Sequence, residues 1–260
     1  MTELPIEIAL GLASGGLVGF SLGLIGGGGS ILAVPLMVYL VGVPDAHVAI
    51  GTSAVAVGAN AAANLAQHAR RGTVKWRCAT VFAAAGVAGA FVGSSLSKRV
   101  DGQHLLAMFA LLMIVVGATM LRRRTETGKD SVQLTRENLP KLLLLGALTG
   151  ILSGFFGIGG GFLIVPGLML ATGMPILNAI GSSLVAVAAF GLTSAANYAV
   201  SGFVDWALAA IFLAGGVLGG LVGAALAKTL AGKRGALSVV FAGVIFAVAA
   251  YMLVRSAGVV

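Results

Sequence analysis

Long apolar runs separated by short polar turns cover nearly the whole chain. Ten such segments can be drawn, at about 6–25, 30–43, 46–69, 76–97 and 103–121, then 141–156, 161–174, 177–200, 206–227 and 235–254. None shows the strict alternation of a half-buried strand, and most are long enough to be helices in lipid. The stretch from Arg122 to Lys141 is polar and reads as a linker. The pattern predicts an all-α polytopic membrane protein, with a first transmembrane repeat over 1–121, a cytoplasmic linker over 122–140 and a second repeat over 141–260.

The repeat is visible in the letters themselves. The run GLIGGGGSILAVP at 23–35 aligns with GFFGIGGGFLIVP at 154–166. Gly42-Val-Pro44 matches Gly173-Met-Pro175, and AIGTS at 49–53 matches AIGSS at 179–183. Gly72 to Trp76 matches Gly202 to Trp206, and Gly86 to Gly93 matches Gly216 to Gly223. Order is kept throughout, which is the signature of an internal duplication.

Loop charge sets the orientation expected of each half. If every segment crosses and the N-terminus is outside, thirteen basic residues fall inside. They are Arg70, Arg71, Lys75 and Arg77, then Arg122, Arg123, Arg124, Lys129, Arg136 and Lys141, then Lys228, Lys233 and Arg234. Only Lys98, Arg99 and Arg255 fall outside. With 30–43 and 161–174 re-entrant and the N-terminus inside, the best split is eleven against five. The positive-inside rule favours the first arrangement. So does the contrast between the basic loop 70–77 and its counterpart 201–205, which has no basic residue and one aspartate. Five crossings per repeat make the two repeats inverted, a common plan for secondary transporters with a site between the halves.

The second segment of each repeat is short. About 14 residues of helix reach roughly 21 Å, against a hydrocarbon core of about 30 Å. Each follows a glycine cluster, Gly26 to Gly29 and Gly157 to Gly161. A broken helix at membrane depth is tolerated where it is buried in protein or lines a cavity. Free amides at a helix N-terminus attract anions without a cationic side chain. The expected substrate contacts are therefore Gly27, Gly28, Gly29 and Ser30 in one repeat and Gly159, Gly160 and Gly161 in the other. The bland alternative is that these glycines serve close helix packing.

The third segments hold most of the embedded polarity. Thr52, Ser53, Asn60 and Asn64 in repeat 1, and Ser182, Ser183, Ser194 and Asn197 in repeat 2, are further candidate contacts. Asn60 and Asn64 fit substrate contact and interhelical hydrogen bonding equally well. His47 and His68 are the candidates for proton coupling, since histidine titrates near neutrality. The fourth segments carry small residues at helical spacing, Ala85, Gly89 and Gly93, then Gly215, Gly219 and Gly223. That pattern packs membrane helices closely, within one protomer or across a homodimer.

Composition narrows the classes. Only 9% of residues are charged and 58% are hydrophobic, too little charge to cover a soluble fold. The net charge of +8 sits in loops, with no basic face and interleaved aromatics, so nucleic acid is not an expected partner. Neither glycine cluster ends in Gly-Lys-Ser/Thr, which excludes a phosphate-binding loop, and no cofactor is expected. The single cysteine, Cys78, allows no internal disulfide and no thiol metal cluster. All eight acidic residues lie in loops or near segment ends, which argues against an intramembrane enzyme. The first residues lack a basic n-region, so the first apolar run is expected to be retained.

The glycine cluster before Pro35, its copy before Pro166, and the AIGTS and AIGSS motifs resemble the sulfite exporter TauE/SafE family over nearly the whole chain. The resemblance implies a bacterial or archaeal inner-membrane permease for sulfur-containing anions such as sulfite and organosulfonates. An anion channel is the rival reading. The orientation is open to test: a reporter active only in the cytoplasm, fused after Lys129, should be active, and one fused after Arg99 silent. The reverse pair would overturn the predicted topology.

Overall fold

The computed structural model describes residues 3–25, 27–122, 134–157, 159–229 and 234–256, which form helices joined by short turns, with no strand among them. In chain order the helices are α1 (Glu3–Ile25), α2, α3 (Ala46–Arg70), α4 (Trp76–Ser97), α5 (Gly102–Arg122), α6 (Leu139–Phe156), α7 (Gly161–Thr172), α8 (Ile176–Val200), α9 (Trp206–Thr229) and α10 (Arg234–Ser256). The second segment, labelled α2, is a composite. A 3₁₀ stretch Gly27–Leu32 leads into one α turn, Ala33–Pro35, and then a π stretch, Leu36–Val41. The pitch changes directly after Pro35, whose missing N–H deletes one rung of the ladder. Most of the predicted linker, 123–133, lies outside the described residues.

Helix ends follow the local chemistry. Asp45 caps α3, its Oδ1 accepting from the His47 amide at 2.7 Å. Asp205 does the same for α9 through the Leu208 amide at 2.9 Å. Asp101 caps α5 through Gln103 at 2.9 Å, and these amide donors hold its carboxyl below the ordinary range. The repeated Gly-x-Pro motif closes the short helices. Gly42 and Gly173 adopt φ of 89° and 69°, and their amides return to the Met37 and Met169 carbonyls. A left-handed residue there is easiest for glycine, and the proline after it cannot continue the helix.

The packing exchanges partners between repeats. Helix α1 lies on α9, and α6 lies on α4. These contacts leave no room for a Cβ. One on Gly15 or Gly19 would enter the carbonyls of Phe212 or Gly216, and one on Gly219 or Gly223 those of Gly16 or Phe20. The same holds between α4 and α6, where Gly150 and Gly154 meet the Gly86 and Ala90 carbonyls. The small-residue stripes of the fourth segments thus pack within the protomer.

The contacting residues also give helix directions. Position rises together along α1 and α9, so these run parallel, as do α4 and α6. Asn60 meets Gly216 and Asn64 meets Gly220, making α3 parallel to α9. Phe190 lies at Gly86 and Asn197 at Ser94, making α8 parallel to α4. Between α3 and α8 the order reverses, since Gly51 meets Tyr198 whereas Gly58 meets Gly191. Hence α1, α3 and α9 point one way and α4, α6 and α8 the other. Because α1 and α3 share a direction, the chain must return between them, and α2 carries that return. Helix α7 does the same between α6 and α8.

Among the described residues six helices, α1, α3, α4, α6, α8 and α9, are long and apolar enough to cross a membrane. Trp76 opens α4 and Trp206 opens α9, 50% and 63% exposed, at opposite ends of the bundle. Tryptophan is favoured at both membrane–water interfaces.

Enlarging a glycine at the exchanged contacts should separate two backbones. Gly154→Leu should destabilise the protein by about 3 kcal/mol, the upper end for overpacking, seen as a lower melting temperature in detergent. An unchanged melting temperature would mean that the α4–α6 contact is looser than its geometry indicates.

Candidate functional site at the helix breaks

The two glycine breaks meet. Helix α6 brings the chain to Gly157, beside Ile50 in the first turns of α3. The chain then reverses, and Gly159 lies against Val57 and Val187, near the middles of α3 and α8. Gly157, Gly159 and Gly160 have φ of 66°, 64° and 66°, a conformation that favours glycine. Gly160 is the N-cap of α7 and supplies no side-chain cap. On the repeat-1 side, Gly27, Gly28 and Gly29 belong to the 3₁₀ stretch, which packs on α7 and α8, with Ser30 fully buried. The second break is buried and the first packs on two helices, as a broken helix at membrane depth requires.

The polar stripes behave differently from the breaks. Thr52 Oγ1 accepts the Asp205 amide at 3.0 Å, and Ser182 Oγ accepts the Lys75 amide at 2.8 Å. Each hydroxyl thus holds the turn before helix four of the other repeat. Beside them, a Cβ on Gly51 would strike the Phe203 carbonyl, and one on Gly181 would lie 2.6 Å from Thr73 Oγ1. This explains the AIGTS and AIGSS motifs: the glycine lets a turn approach, and the next hydroxyl accepts its amide. Asn178 adds a bond from Nδ2 to the Thr73 carbonyl at 3.0 Å. The latches stand at opposite ends of the bundle, because α3 and α8 are antiparallel.

The remaining candidates are scattered. Ser53 and Ser183 are fully buried and donate to the carbonyls of Ile50 and Ile180 at 2.9 and 2.8 Å. Asn64 Nδ2 donates to the Asn60 carbonyl at 3.0 Å. Asn60 is 1% exposed, against Gly216, and neither atom of its carboxamide has a partner among the described residues. Ser194 is also buried, its hydroxyl without a partner among them. Asn197 joins α8 to α4, donating to Ser94 and Ser95 at 2.7 and 2.9 Å and accepting from Lys98 at 2.8 Å. His47 lies 5.5 Å from the Phe203 ring at the Thr52 latch. His68 Nδ1 is 3.0 Å from Thr73 Oγ1 at the Ser182 latch.

Two buried hydroxyls escaped the sequence reading, Ser14 in α1 and Ser153 in α6. Both are 0% exposed, with no partner among the described residues. A single serine inside an apolar run resembles ordinary helix filling. The available signal was the broken repeat, since the residue before Gly154 is Ser153 and the one before Gly23 is Leu22.

Chemically, the break region offers donors and apolar walls. No residue between Lys141 and Asp205 is charged. Among the described residues no group of three His, Cys, Asp or Glu could hold a metal.

Known proteins point the same way. The family model for the sulfite exporter TauE/SafE matches residues 11–252. A probable membrane transporter protein of Xylella fastidiosa is 54% identical over 98% of both chains. One of Haemophilus influenzae is 32% identical over 75% of both. The probable membrane transporter protein YdhB of Bacillus subtilis is 28% identical over 80% of this chain and 85% of its own. No solved structure matches the chain.

The latches carry a stability prediction. Thr52→Val and Ser182→Ala each leave a part-buried amide without its acceptor and should cost about 1 kcal/mol. Because the sites are at opposite ends, the double variant should show the sum. Thermal melts showing no loss in either single variant would assign these hydroxyls elsewhere.

Proposed function

The chain belongs to the sulfite exporter TauE/SafE family, and from that membership we propose that it is a secondary carrier for a small anion, sulfite or an organosulfonate. It is a multi-pass membrane transporter, as its family and relatives are. The finer reading rests chiefly on one observation: the first glycine break packs on the short helix that the second one opens, beside the middles of α3 and α8, where the sequence has no lysine or arginine. Helix N-termini of broken helices are how many transporters hold anionic groups. A site made of dipoles also binds weakly enough to release its cargo.

In this reading the membrane is a prokaryotic inner membrane, with the N-terminus outside and the linker in the cytoplasm. The substrate sits between the repeats, and access alternates as the group α1, α3 and α9 rocks against the group α4, α6 and α8 about the α3–α8 crossing. Close approach of Gly58 and Gly191 gives that crossing a small pivot. The Thr52–Asp205 and Ser182–Lys75 latches close the two ends, and transport opens them in turn. His47 beside one latch and His68 beside the other are the groups through which protons would couple to opening.

Flux in proteoliposomes tests the proposal, using labelled sulfite, sulfoacetate, sulfate and a carboxylate control, with and without a pH gradient. Saturable uptake of a sulfur anion with counterflow is the expected result. Gly28→Leu and Gly160→Leu should each lower that flux at least about 100-fold, the scale of misplacing a bound group by about 1 Å, while the protein stays in the membrane. Normal flux in both would remove the amide site. Flux without saturation or counterflow would make the protein a channel.

A further inference from the structure

Ser153, like Ser14 in α1 and Ser194 in α8, lacks a bond that most helical hydroxyls of this protein make. Ser21, Thr149, Thr172 and Thr193 donate to the carbonyl four residues back in their own helices. Ser53 and Ser183 donate three residues back. That bond is a common one for a serine or threonine inside a helix. Ser153 is 0% exposed, yet its Oγ has no partner among the described residues. Its side chain points at the α7 break: a Cβ built on Gly160 would lie 2.8 Å from Ser153 Cβ and 3.0 Å from its Oγ. A buried hydroxyl left free costs stability, and of these three it is Ser153 that lies at a helix break, where a ligand would satisfy it.

The break supplies the complementary donors. Left-handed Gly160 followed by helical Gly161 turns successive amides toward one concavity, an arrangement that binds anions. The amides of Leu163 and Ile164 both return to the Gly160 carbonyl at 2.9 Å. The amides of Gly161 and Phe162 come first in α7, where an α-helix offers its N–H groups no acceptor of its own. Along the break, Ile50 lies at Gly157, Val57 and Val187 at Gly159 and Ile164 at Gly160, which gives it an apolar wall. The matching residue in repeat 1 is Leu22, which has no hydroxyl. The duplication is thus chemically one-sided here.

We infer that Ser153 Oγ–H and the amides of Gly161 and Phe162 form an anion seat at the α7 break that selects a singly charged oxyanion head, such as a sulfonate, over a doubly charged one. The seat deepens the carrier reading above and rests on it. Three neutral donors and the partial positive end of α7 offset about half a charge to one charge. With no charged residue between Lys141 and Asp205, a second negative charge would be buried without a counter-ion.

The test uses the purified full-length protein, with ethanesulfonate as the monoanion and sulfate as the dianion. Ethanesulfonate should raise the melting temperature saturably, and sulfate should not. Ser153→Ala removes the free hydroxyl, so it should melt higher than wild type without ligand and bind ethanesulfonate about tenfold more weakly. Ser153→Cys, a near-isostere with a poor donor, should weaken binding similarly and decides the matter if the alanine variant does not fold. Affinity within twofold of wild type in the folded variants overturns the seat, as does a wild type that ethanesulfonate never stabilises. Sulfate binding as tightly as ethanesulfonate overturns the charge selection. Binding that Ser153→Ala weakens, without counterflow in proteoliposomes, upholds the seat and removes the carrier reading instead.

Discussion

The structure depends on backbones that touch. Where α1 meets α9 and α4 meets α6, glycine replaces side chain and carbonyls approach the neighbouring helix directly. In lipid there is no hydrophobic drive between helices, so close van der Waals packing must supply the association. Because each contact joins the first helix of one repeat to the fourth of the other, the halves cannot separate as independent bundles. The same exchange puts α3 against α8 and brings the two glycine breaks into one place. The candidate site is therefore a product of the packing between repeats.

Much of this was legible in the letters. The ten apolar segments match the ten helical segments to within about three residues at either end, because in a chain this poor in charge the polar turns punctuate clearly. The short segments, the glycine breaks before them and the Gly-x-Pro ends were visible for the same reason. The linker 122–140 was read from its polarity, and its central part lies outside the described residues.

Side-chain roles were less legible, and the reason is physical. Thr52 and Ser182 looked like ligands because a hydroxyl in an apolar helix needs a partner, and sequence gives no partner 153 or 107 residues away. Asn197 drew attention for the same reason, and its carboxamide bonds to Ser94 and Ser95 of α4. Ser153 passed unnoticed because its meaning lies in a bond it does not make. Periodicity reports which face a residue occupies, whereas satisfaction of a hydroxyl depends on a neighbour from another helix. The glycine breaks were readable because backbone freedom is a local property.

The exchanged contacts also set a timetable. The glycine face of α1 is matched only by α9, about 180 residues further along the chain. At a synthesis rate of about 5–20 residues per second, α1 waits about 10–40 s in the membrane before its partner emerges. The partner of α4 follows much sooner, since α6 begins at Leu139. Assembly should thus start around α4 and α6, and α9 closes on α1 late, with only α10 still to dock on α5. During that interval a half-made protein presents a flat, small-residue helix face to the bilayer, open to any other helix that fits it. For this protein the hazard of biogenesis is capture by a stranger, and it ends only when the last quarter of the chain has been made.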